Sequence, residues 1–199
     1  MGERLNLEIL YDGTVAANAY YHWSGFTSSA LELTGKALEM IPEEELGYAS
    51  SIGVAVKALE YTGALLTKSE YKAYTTITPT NCLGIPVASH TAEEGTADRN
   101  SGLISVTTYG VLETREWEEE RVSIDLKTRL VKFGAIHNIE ESDIEEVIQK
   151  YREIKNVGNW KDLIIPAKEF RDFKEKVLAL VKDEIYAFSC GGKNYLMIE

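Results

Sequence analysis

The sequence predicts a single α+β domain spanning residues 1–199. It is expected to be an antiparallel or mixed sheet, built from N- and C-terminal hairpins plus central strands and packed by about four helices. Three observations predict this. Hairpin patterns stand at both ends of the chain, helix-period apolar stripes alternate with strand patterns between them, and 44% of 199 residues are apolar, enough to bury one core.

Leu5, Leu7 and Ile9 alternate with Asn6 and Glu8, and Tyr11-Asp12-Gly13-Thr14 supplies an Asp-Gly turn, so a hairpin follows. Its second arm, residues 15–23, carries apolar or aromatic groups on both faces and is expected to be covered on both sides. Ser24 and Gly25 break that strand. Thr27, Ser28 or Ser29 can cap a helix whose stripe is Ala30, Leu33, Thr34, Ala37, Leu38 and Ile41, ended by Pro42. Glu43, Glu44 and Glu45 then suit the start of a second helix, expected over residues 46–66. Residues 74–78 read as a strand stopped by Pro79, because Tyr74, Thr75, Thr76, Ile77 and Thr78 are aromatic or β-branched.

Residues 80–101 read as a long polar excursion with at most a short strand at 85–88. Strand character resumes at 103–108, Gly110 marks a turn, and a further strand is expected over 111–117. Residues 122–126 and 130–133 form a second hairpin. The Ser142 to Glu145 spacing is a capping box for a helix carrying Ile144, Val147, Ile148, Tyr151 and Ile154, and another helix fits 168–183. A third hairpin, 185–189 with 194–198 around Gly191-Gly192, closes the chain.

The formal net charge of −11 excludes a nonspecific grip on nucleic acid or on an anionic membrane, though not a local basic pocket. No apolar run reaches the ~18 residues of a membrane span, and Met1 to Asn6 lack a signal-peptide core, so the expected location is the cytoplasm. Cys82 and Cys190 stand far apart, and His22, His90 and His137 are scattered singly. No metal and no cofactor are expected from that spacing.

Two segments concentrate chemistry. In the first, His22, Trp23, Ser24, Phe26, Thr27 and Ser28 gather at a helix start with Gly25 among them, where an anionic or nucleotide ligand could stack on a ring and place phosphate on backbone N–H groups. The other reading is a buried aromatic cluster beside a capped helix. In the second, Arg99 offers a planar fork to phosphate or carboxylate, with Asn100 beside it and Gly102 opening the next strand, or the segment is a surface turn. No catalytic residues are expected. There is no nucleophile elbow, no phosphate-binding loop and no His-Glu-x-x-His, and Cys82 with Asn81 and a histidine offers only a loose imitation of a thiol nucleophile. Glu93-Glu94 and Glu118-Glu119-Glu120 read as solvated charge runs.

His22-Trp23-Ser24-Gly25-Phe26, Asp98-Arg99-Asn100-Ser101-Gly102-Leu103-Ile104, and Trp117-Glu118 followed by Ile124-Asp125 occur in an order that resembles a group of phage and prophage proteins of unassigned function. That group carries a His-Trp-(Asp/Ser)-Gly-Tyr segment after an N-terminal hairpin and an Asp-Arg-Asn-x-Gly segment mid-chain. The resemblance covers residues 5–126, with Ser24 where many members have Asp and Phe26 where they have Tyr. It implies one pocket shared by both segments and a binding role in the cytoplasm of a bacterial host. The expected function is to sequester, without chemistry, a small anionic, nucleotide-derived immune signal. One alternative is an acidic inhibitor that binds a host protein, and another is a nucleotide hydrolase or transferase using the same cleft. The expected partner is therefore a small anionic ligand, with no nucleic acid and no membrane, and a homo-oligomer is compatible with it.

Overall fold

A computed structural model describes residues 3–78, 91–92, 102–136, 139, 141–155, 161–181, 185–190 and 193–198. The chain runs β1 (Leu5–Tyr11), β2 (Thr14–Tyr21), α1 (Thr27–Glu39), α2 (Tyr48–Tyr61), β3 (Leu65–Thr67), α3 (Lys68–Ile77), β4 (Thr91–Ala92), β5 (Leu103–Ser105) and α4 (Thr108–Arg115). It continues through β6 (Glu120–Asp125), β7 (Leu130–Phe133), α5 (Glu141–Ile148), β8 (Arg152–Lys155), β9 (Lys161–Pro166) and a 3-10 turn (Ala167–Glu169) into α6 (Phe170–Leu178), then β10 (Ile185–Cys190) and β11 (Lys193–Ile198).

The fold is α+β. Nine strands form one mixed sheet in the order β4-β3-β5-β2-β1-β6-β7-β9-β8, while β10 and β11 pair with each other in a separate two-stranded sheet. The first hairpin forms as its sequence dictates: Asp12 (φ 54°) and Gly13 (φ 78°) both take the left-handed conformation that an Asp-Gly turn supplies. β1 then lies centrally, antiparallel to β2 and parallel to β6. Register places Ile9, Ile124, Val131 and Ile165 in one row across β1, β6, β7 and β9, all buried. That face receives α1, α2 and α6, whose Leu31, Val56, Leu59, Phe170 and Phe173 complete the core.

Several elements differ from the sequence expectation. Six α-helices are present among the described residues, where about four were expected. α2 is shorter than 46–66 because Gly63 turns left-handed (φ 96°) and Leu65 starts a strand. Of residues 74–78, expected as a strand, 74–77 belong to the helix α3 and Thr78 is its extended C-cap; the start of α3 is capped by Thr67 accepting from the Glu70 N–H at 3.3 Å. Likewise 111–117 is not a strand. Thr107 caps α4 through the Gly110 N–H at 3.1 Å, so Gly110 opens a helix rather than a turn, and β5 stops at Ser105. The Glu70 carboxylate ties the two misread helices together, accepting from the Val106 N–H at 2.8 Å and the Thr107 hydroxyl at 2.7 Å. α5 ends at Ile148, leaving Tyr151 outside it and Ile154 in β8, and α6 ends at Leu178. The strand expected at 85–88 lies outside the described residues, as do Cys82, His90 and His137.

Near the end of α2, Glu60 keeps one carboxylate oxygen buried with no hydrogen-bond partner among the described residues. Burial pushes its pKa up to about 7, with Lys57 opposing the shift. Between the ordinary 4.5 and about 7 the folded protein therefore holds a proton that the unfolded chain has lost, so stability falls as pH rises through that window. Glu60→Gln is expected to flatten this slope and to be more stable than the parent above it. Urea midpoints at about pH 5 and about pH 8 check this, and an unchanged slope would contradict it.

Candidate functional site

The junction between β2 and α1 is fixed by backbone. The Gly25 N–H donates to the Glu3 carbonyl at 2.9 Å, and a Cβ at residue 25 would stand 2.8 Å from the Glu3 carbonyl carbon and 2.9 Å from the Arg4 nitrogen. Gly25 therefore admits the backbone just before β1 rather than a partner. The helix starts one residue earlier than a hydroxyl cap requires: Phe26 is the N-cap, in extended conformation and with no side-chain cap bond, and Thr27 is already helical. Thr27 is fully buried, while Ser24, Phe26 and Ser28 are half-buried.

His22 and Trp23 project from this junction. Their rings meet edge to face at 4.9 Å between centroids, and Trp23 stays 38% exposed. The Tyr20 hydroxyl lies 3.0 Å from His22 Nδ1, which orients the imidazole. Burial raises the pKa of Tyr20, the Arg4 guanidinium opposes that shift and Glu119 adds to it, so Arg4 and Glu119 are its charged neighbours. The Arg4 guanidinium in turn stacks over the Trp117 ring at 5.6 Å, and Trp117 is 56% exposed. Trp23, His22 and Tyr20 are thus in contact in turn, and Arg4, a charged neighbour of Tyr20, is in contact with Trp117, so the run has an exposed indole at each end.

Sequence reading found His22 and Trp23 in this run and missed Tyr20, Arg4 and Trp117 as members. Arg4 and Trp117 are 113 positions apart and meet because β1 and β6 pair in parallel, starting at Leu5 and Glu120. The acidic run is not simply solvated. Glu118 receives Arg121 and the Asn6 amide (2.6 Å), Glu119 accepts from the Arg4 backbone N–H at 2.8 Å, and Glu120 is buried.

Arg99 and Asn100 lie outside the described residues. The end of their segment is described. Gly102 enters β5, which pairs antiparallel with β2 so that Leu103 stands opposite Tyr20. A Cβ at Gly102 would overlap the ring of Tyr21, the residue before His22. Backbone pairing thus brings the end of the second sequence segment beside the first.

The site has no cluster suited to a metal ion among the described residues. No helix of the described chain is long and apolar enough to cross a membrane. No family model matches the chain, and no curated protein or solved structure is similar to it.

Proposed function

We propose that the protein binds a small anionic, nucleotide-like molecule along the run from Trp23 to Trp117 and holds it without chemistry. The observation that carries this reading is the exposed indole at each end with a guanidinium between them. Indole faces stack on bases with little regard to sequence, and a guanidinium pairs with phosphate. Arg99 and Asn100 would join the ligand from the segment that enters β5. The resemblance to phage proteins supports the narrower reading that the ligand is a nucleotide immune signal and that the protein acts in a bacterial host's cytoplasm.

Trp23→Ala and Arg4→Ala are each expected to weaken nucleotide binding by about tenfold or more, since each removes one charge-assisted or stacking contact. Calorimetric titration with cyclic and linear nucleotides measures this, and chromatography of the recovered nucleotide separates retention from conversion. Undiminished binding in both variants would overturn the site, and an altered nucleotide would make it a hydrolase or transferase.

A second reading has its own observation. The outer face of α4 and its continuation exposes Tyr109 (75%), Leu112 (54%) and Trp117, with Glu113, Glu116 and Glu119 also exposed among them. Large aromatic anchors in an acidic surround suit a basic protein partner. Under that reading association is salt-sensitive, is lost in Leu112→Asp, and needs no nucleotide.

A further inference from the structure

The sheet face opposite the helical core carries a second feature, independent of the aromatic run. Register aligns Glu8, Ser123, Lys132 and Ile164 in one row across β1, β6, β7 and β9. These residues floor a cleft of about 340 Å³ that Arg115, from the end of α4, and Arg121 also line. Such a volume lies at the small end of ligand pockets, below what a dinucleotide needs.

The carboxylates around this cleft are already engaged. Glu8, 2% exposed, accepts from Arg115 Nε at 2.7 Å and from the Ser123 hydroxyl at 3.4 Å. Asp125 accepts from the backbone N–H groups of Asp12, Gly13, Lys127 and Thr128, Glu118 takes Arg121, and Asp162 holds Lys132 Nζ at 2.8 Å. The cations are not used up in the same way. A guanidinium has five N–H donors and an ammonium three. Among the described residues, the two Nη groups of Arg115 carry no hydrogen bond, and Lys132 spends its ammonium on one carboxylate while its side chain stays 44% exposed. Spare donors therefore line one part of the cleft, and Leu10, Leu130 and Ile164 give it an aliphatic part.

We propose that this cleft is a second binding site, for a small organic oxyanion, a carboxylate or a phosphate ester with a short aliphatic or cyclic body. The oxygens would meet the spare donors of Arg115 and Lys132, and the body would lie on Leu10, Leu130 and Ile164.

The test is calorimetric titration of the full chain with hexanoate, butyl phosphate and inorganic phosphate. At least one of the two organic probes is expected to bind about tenfold more tightly than inorganic phosphate, and which one binds identifies the head group. Lys132→Gln is expected to weaken that probe by about tenfold, Lys132→Arg to retain it, and Ile164→Ser to reduce it to the level of inorganic phosphate. Trp23→Ala is expected to leave it unchanged, which keeps this site distinct from the nucleotide site. No binding by either organic probe, or equal affinity in Lys132→Gln and the parent, would overturn the proposal.

Discussion

Gly102→Ala is expected to destabilise the protein by about 2–3 kcal/mol, the upper part of the range for overpacking a closed core. The added Cβ would fall within the Tyr21 ring, against Cε1, Cδ1 and Cζ. That ring cannot retreat cheaply. Tyr21 is buried, its hydroxyl is hydrogen-bonded to Thr62, and its strand is paired on both sides, to β1 and to β5. Moving residue 102 instead would break the bond from the Leu65 N–H to the Gly102 carbonyl, 2.9 Å, which joins β3 to β5. The two residues should therefore be coupled. In a Tyr21→Leu background the same alanine is expected to cost at least 1 kcal/mol less. Urea unfolding of the four proteins measures the coupling, and additive costs would contradict the close approach of β2 and β5 on which the joining of the two segments rests.

Glu8→Ala is expected to cost about 3 kcal/mol. Glu8 sits in the middle of the sheet with Arg115 Nε at 2.7 Å, so its loss strands that guanidinium, while Arg121, whose Nε lies 3.9 Å away, keeps Glu118. Breaking a buried pair from one side typically costs about 3–5 kcal/mol, and the lower end applies because both arginines reach solvent. Glu8→Gln keeps the shape and one acceptor and is expected to cost about half as much. Replacing Glu8 and Arg115 together by leucine should be less damaging than Glu8→Ala, because no charge is then stranded. Thermal unfolding of the three variants gives the ranking, and a neutral Glu8→Ala would show that α4 is not held to the sheet through this carboxylate.

The alternation of Leu5, Leu7 and Ile9 made the first strand and its core face legible, and Asp12-Gly13 made the turn legible, because both are local. The same alternation hid the other face. Asn6 and Glu8 are the polar half of that alternation, yet both are buried beneath α4 together with Asn18, where Asn6 and Asn18 bond Thr114 and Glu8 bonds Arg115, some hundred residues on. Composition misled at Tyr74 to Thr78 and Val111 to Trp117. Tyr74 to Ile77 and Val111 to Arg115 are helical because capping and packing outweigh weak intrinsic preference, and Thr78 and Trp117 lie just past the helix ends. The Thr67 to Glu70 spacing is the capping pattern that could have identified α3. At the candidate site, His22 and Trp23 were legible from their crowding at a strand end. Arg4 and Trp117 were not, since only the parallel pairing of β1 with β6 brings them together.

Whether the run from Trp23 to Trp117 holds an intact nucleotide-like anion is measured by a thermal-shift titration of the purified protein against cyclic and linear nucleotides. A ligand present at about 100 times its dissociation constant adds about 2.7 kcal/mol, which for a chain of this size raises the melting temperature by about 5–10 °C. Such a shift is expected for at least one nucleotide, cut to about half or less in Trp23→Ala by the tenfold loss of affinity, with the nucleotide recovered unchanged. No shift across the panel, or an undiminished shift in Trp23→Ala, would contradict this.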